Sequence, residues 1–190
     1  MSLSQEKITK NYVKYCSTGD KYGFLPTELK ELLGSEFVAA PASTMKDLHN
    51  AFEGGLIAHM LLVTKYAISI NEILPENMRV AQDSLIKVCC LHQIGKAKLY
   101  KECTDSWQRE KRGIMYEFNE LLISMRVGER SAYYALSTGV KLNDEEYQAI
   151  VNYDKDDDDK MAKWHGSMLS TILKQANELA IKEEKHNATV

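Results

Sequence analysis

The sequence predicts an all-α protein, a helical bundle with at most one short β-hairpin, on three observations. Its three prolines, Pro26, Pro41 and Pro75, all fall in the first half of the chain, so the second half is free of the residue that breaks helix interiors. Long segments repeat apolar residues at three- and four-residue steps, the spacing of one helix face. One helix start is spelled out in full: Asn143 supplies a capping side chain, and Asp144, Glu145 and Glu146 put acids in the first turn, where the helix dipole favours them.

Taken in chain order, helices are expected at roughly 4–16, 27–34, 44–51, 55–73, 80–94, 118–138, 144–152 and 166–185. The first three rest on periodicity alone. In the fourth, Leu56, His59, Met60, Val63, Ala67 and Ile70 share one face, and in the fifth Leu85, Val88, Cys89 and His92 do the same. Between the fifth and sixth, the stretch from Trp107 to Phe118 keeps no helical period and carries Arg112-Gly113 at its middle, which reads as a short hairpin. The seventh is the capped one, and the eighth gives way to a polar tail at 183–190.

A single domain over residues 1–190, with its core at about 40–182, is the expected organisation for a chain of this length. Lys and Arg total 24 against 27 Asp and Glu, a net charge of -3, and no segment concentrates basic residues, which argues against nucleic acid as a partner. No signal-peptide core or membrane-length apolar run is apparent, so a soluble, cytoplasmic protein without membrane association is expected. Cys16, Cys89, Cys90 and Cys103 have no metal-type spacing and fit reduced, structural thiols. The run Asp154-Lys155-Asp156-Asp157-Asp158-Asp159-Lys160 lacks the alternating ligands and glycine of an ordered calcium loop and reads as a solvated, protease-accessible segment.

Chemistry is suggested by the two inward histidines, His59 and His92. An inward histidine is ordinarily a hydrogen-bonded core residue, but here two such helices are paired, one beginning after Gly54-Gly55 and the other ending in His92-Gln93-Ile94-Gly95-Lys96. The segment HNAFEGGLIAH from His49, with LHQIGKA further along the chain, resembles the GGL-xx-H and LHDIGKA elements of HD-domain phosphohydrolases, with Gln93 in place of the signature Asp. RVGERSAYYAL from Arg126, AIVNYDK from Ala149 and QANELA from Gln175 are similar to three further elements, in the same order.

The resemblance implies an HD-domain-like helical bundle that holds one or two divalent metals and activates water against a phosphate ester, mostly of nucleotides. It assigns the metal positions to His59, His92, Gln93, Val127, Tyr153 and Asn177. Only the two histidines remain ligands of the family type. Gln93 and Asn177 keep an oxygen but no charge, Val127 cannot coordinate, and Tyr153 is a poor ligand unless ionised. Lys96 and Arg130 correspond to cations that would contact phosphate. The expectation is a largely dismantled metal site that binds a nucleotide or another phosphorylated small molecule with little or no hydrolysis. No cofactor is required by this reading, and the only candidate is one divalent ion (Mn, Fe, Mg, Zn or Ni) at His59 and His92. The rival expectations are an active metal-dependent phosphohydrolase and an interaction protein with no ligand.

Overall fold

A computed structural model describes residues 2–155 and 166–189. Eight α-helices and one two-stranded antiparallel sheet make up the fold among these residues, in agreement with the all-α expectation. α1 (Gln5–Tyr22) starts on Ser4, whose hydroxyl accepts from the Lys7 N–H, and stops at Gly23 in the left-handed region. α2 (Thr27–Ala39) starts after Pro26 and kinks at Gly34, where φ is 65°. α3 (Gly55–Ile73) is the central helix and packs against α1, α2, α4 (Gln82–Leu91) and α8 (Met168–Thr189). α6 (Val127–Ser137) and α7 (Asp144–Asn152) close the bundle. The start of α7 is the capping box expected from its sequence, with Asn143 and Glu146 each bonding the other's backbone N–H.

The core begins earlier in the chain than residue 40. Tyr15, Phe24, Leu29, Leu33 and Phe37 are buried together with Leu56, Met60 and Leu91, so α1 and α2 belong to the same apolar interior as the later helices. α3 is by length and composition apolar enough to cross a membrane, at a mean hydropathy of 1.2, a property not expected from the sequence. Here it is the core helix, with Leu56, Ile57, Met60, Val63 and Ala67 buried.

Several boundaries differ from expectation. Residues 44–51 form turns rather than a helix, because their backbone is drawn to the 113–116 segment: Met45 bridges Ile114, and the Thr44 carbonyl accepts from the Met115 and Tyr116 N–H groups. The hairpin is wider than expected. Its strands, β1 (Tyr100–Glu102) and β2 (Tyr116–Phe118), flank a short helix, α5 (Ser106–Arg112), capped by Asp105 and ended by Gly113 at φ 65°. These caps make α5 without any buried residue, which is why apolar periodicity missed it. The sixth helix starts at Val127, not 118; Phe118 is paired with Tyr100 across the hairpin, and Leu121 and Ile123 are exposed, with no burial to hold a helical turn. α8 runs on through the stretch expected to be a polar tail, and Glu184 on it is buried. The acidic stretch at 156–160 lies outside the described residues.

Candidate functional site

The family-like positions converge. His59 on α3 and His92, just past α4, are fully buried with ring centroids 6.3 Å apart. Tyr153, just past α7, meets the His92 ring edge-on at 4.8 Å. Asn177 on α8 lies 3.0 Å from His59 through its Oδ1, and Gln93 donates to the same oxygen at 3.2 Å. Val127 is the exception, since it opens α6 and is half-buried against the apolar core. α4 ends at Leu91, and a short 3-10 turn at Ile94–Lys96 carries Lys96 inward. That turn is held by α6: the Gly95 N–H donates to Ser131 Oγ, which donates to the His92 carbonyl, both at 2.9 Å.

Proton positions are set by Lys96, which has donors only. Its Nζ, buried, donates to the Ala42 carbonyl at 2.6 Å and to Gln93 Oε1 at 2.9 Å. The Gln93 amide oxygen is therefore turned to Lys96, and its NH2 faces His59 and Asn177. Asn177 in turn presents its oxygen to that NH2. An oxygen at Asn177 requires His59 to carry its proton on Nε2, which leaves His59 Nδ1 as a bare acceptor. Nδ1 lies 2.8 Å from Glu184 Oε2. Burial lifts the Glu184 carboxyl to about 8, so near neutrality it has a proton to donate to Nδ1, while Asn50 Nδ2 donates to its other oxygen at 2.6 Å. The chain of bonds from Lys96 to Glu184 is thus satisfied at every step.

Burial also holds the imidazoles neutral, His59 and His92 at about 3 and His49 at about 2. Burial lowers Lys96 to about 8. The His92 Nδ1–H donates to the Cys89 carbonyl at 2.8 Å, which fixes its tautomer. Its Nε2 is buried without a hydrogen-bond partner, with Asn177 acting on it only at longer range.

A divalent metal of the family type does not fit this donor set. His59 Nε2 carries a proton, Gln93 offers hydrogens rather than oxygen, Tyr153 is held well above the ordinary phenol range by burial, and an ammonium stands next to Gln93. Only His92 Nε2 is a free lone pair. Neither expected phosphate cation faces solvent: the Lys96 ammonium is taken up by Ala42 and Gln93, and Arg130 is buried with its guanidinium donating to the Ile123 carbonyl.

Two further residues, assigned no role by the sequence, stand at this centre. His49 is half-buried with its ring centroid 4.8 Å from that of His59, and Glu184 lies seven residues, two helical turns, past Asn177 on the same face of α8. That spacing was the available signal for Glu184. Glu184 and Asn50 also line two surface hollows. One, about 480 Å3, is bordered by Lys46 and Arg109. The other, about 770 Å3, runs between α1 and α3 with Lys7, Lys10, Lys14 and Lys65 around a floor that includes Phe52 and Leu61. No protein-family model, curated protein or solved structure matches the chain.

Proposed function

We propose that the chain is an HD-type helical protein that has given up metal-dependent hydrolysis and binds a nucleotide or other phosphorylated small molecule without turning it over. The observation that carries the loss of hydrolysis is the neutral amide at the signature position, whose oxygen is turned to Lys96 at 2.9 Å and whose hydrogens face His59. The lysine itself also stands in the LHDIGKA element, so it is the missing carboxylate at Gln93, together with the neutral Asn177, that leaves the centre without an anion to hold a metal. The HD assignment is supported by the convergence of His59, His92, Gln93, Tyr153 and Asn177 from four separate segments, in the order that the motif resemblance requires.

The ligand class is supported by the lysine-rimmed groove rather than by Lys96 and Arg130, which are buried. Four ammonium groups suit phosphate oxygens, and the apolar floor suits a ring. The volume is in the range of small-molecule sites. The near-balance of charge over the whole chain, a net -3, favours a small molecule over nucleic acid as the occupant. The test is thermal denaturation with a panel of nucleoside mono-, di- and triphosphates and inorganic phosphate. At least one should raise the melting temperature of the native chain and fail to do so for Lys10→Glu/Lys14→Glu, since binding to the folded state stabilises it by mass action. If no compound in the panel shifts the transition, the ligand-binding reading falls and a ligand-free interaction protein takes its place.

A further inference from the structure

The other nitrogen of His59 opens a site that the family resemblance does not contain. One ring nitrogen each of His59 and His49 and a carboxylate oxygen of Glu184 all lie within 4.8 Å of one another, and His59 Nδ1 faces Glu184 Oε2 at 2.8 Å. His49 and His59 present different faces, their rings tilted at 48° rather than stacked. We infer that His49, His59 and Glu184 form a binding site for one divalent first-row transition ion, zinc being the probe, on the outer side of His59. Two imidazoles and one carboxylate with an open position is a donor set that zinc and non-haem iron both accept. The site stands on these three residues and is independent of the proposed function.

Two of the three ligands are already oriented. Asn177 accepts the His59 Nε2–H, so that Nδ1 offers its lone pair outward. Asn50 occupies Glu184 Oε1 at 2.6 Å, which leaves Oε2, at 2.8 Å from His59 Nδ1, as the coordinating atom. His49 Nε2 is buried with no hydrogen-bond partner.

The backbone around His49 is constrained to this purpose. Asn50 is the one non-glycine residue with positive φ, 45°, among the described residues. Its carbonyl lies so close to α3 that a Cβ at Gly55 would come within 2.2 Å of it. The Ala42 N–H donates to that same carbonyl at 3.1 Å, and the Ser43 hydroxyl donates to the His49 carbonyl.

Ligand atoms around zinc sit at about 2.0–2.2 Å from the ion and hence about 3.4 Å from one another. The Glu184 and His59 atoms, 2.8 Å apart, need to open by somewhat more than half an ångström, while the half-buried His49 ring swings in. Of the three ligands Glu184 lines the cavity of about 480 Å3 bordered by Lys46, the route by which water or an anion would reach the open position.

Equilibrium dialysis of the chelator-stripped full chain against zinc, read by elemental analysis, tests the inference, with cobalt substitution as an optical check. The native chain and His92→Gln should each bind one ion. His49→Gln should bind about ten-fold more weakly or worse, and His49→Cys should keep the ion, because a thiolate is a zinc ligand. Circular dichroism in chelator verifies that each variant is folded, and His49→Cys alone decides the case if His49→Gln is not. Absence of zinc from the native chain, retention of full affinity by His49→Gln, or loss in His92→Gln or in folded His49→Cys would each overturn it.

Discussion

The Lys96 ammonium lies 2.9 Å from the Gln93 side-chain oxygen, and this contact starts a chain of orientation that runs through Gln93 and Asn177 to His59 at the centre of the bundle. It accounts for the direction of the Gln93 and Asn177 amides and for the tautomer of His59. An aspartate at 93 in the same setting would meet a cation already there.

Restoring acids should therefore bring back only part of a metal site. In a His49→Gln background, which silences the outer site, Gln93→Asp/Asn177→Asp should raise metal per chain measurably, and adding Lys96→Met should raise it further, as the carboxylates then lack an internal partner. No gain in metal from either variant would show that the missing charge at 93 and 177 is not what keeps an ion out.

The tautomers are directly observable. Long-range nitrogen–proton NMR on the imidazoles should find His59 protonated on Nε2 and His92 protonated on Nδ1, both neutral near pH 7. A proton on His59 Nδ1 would break the chain of orientation that starts at Lys96.

Stability should pass through a maximum near pH 6.5. His59 and His92 titrate at about 3 and His49 at about 2 when folded, below the ordinary 6.5. The unfolded chain thus binds more protons as pH falls below 6.5, and the stability present above that value is lost on acidification. Glu184 acts in the opposite sense. Its folded value of about 8 lies above the ordinary 4.5, so its contribution is full below 4.5 and is lost as pH rises toward 8. Below 6.5 three imidazoles outweigh one carboxyl; between 6.5 and 8 the carboxyl leads, opposed increasingly toward pH 8 by Lys96, whose folded value of about 8 lies below the ordinary 10.5. Urea midpoints across this range should show both limbs, with Glu184→Gln flattening the alkaline one. A midpoint rising steadily from pH 5 to 8 would rule this out.

Cutting the chain after Lys182 should destabilise it by about 2–4 kcal/mol. The cut strips His59 and Asn50 of Glu184 and removes the Glu183 partner of Tyr66. For a chain of this size that is a fall of about 4–16 °C in melting temperature. An unchanged transition would return residues 183–190 to the status of a polar tail.

How far the sequence discloses this arrangement depends on what each residue packs against. α3 and α7 are legible because one has a continuous apolar face and the other a complete capping box. Phe118 and Leu121 keep a helix-like spacing yet are exposed, so the pattern is present without the burial that gives it force. Asn177 is legible from its motif, whereas Glu184 is masked by the charged residues around it, although it lies on the same helix face. His49 heads a motif segment but becomes part of the centre only through the left-handed turn at Asn50. Whether Lys96 faces solvent or the interior is decided by the 3-10 turn after Gln93 and by its docking on α6, neither of which is written in the local residues.

Binding without hydrolysis is put to its sharpest test by phosphate release from nucleotides with added manganese, magnesium or zinc. The native chain should show no turnover above background, and His92→Gln should show no change, for the same nucleotide that raises the melting temperature. Metal-dependent phosphate release that His92→Gln abolishes would refute a non-hydrolytic role and establish an active phosphohydrolase.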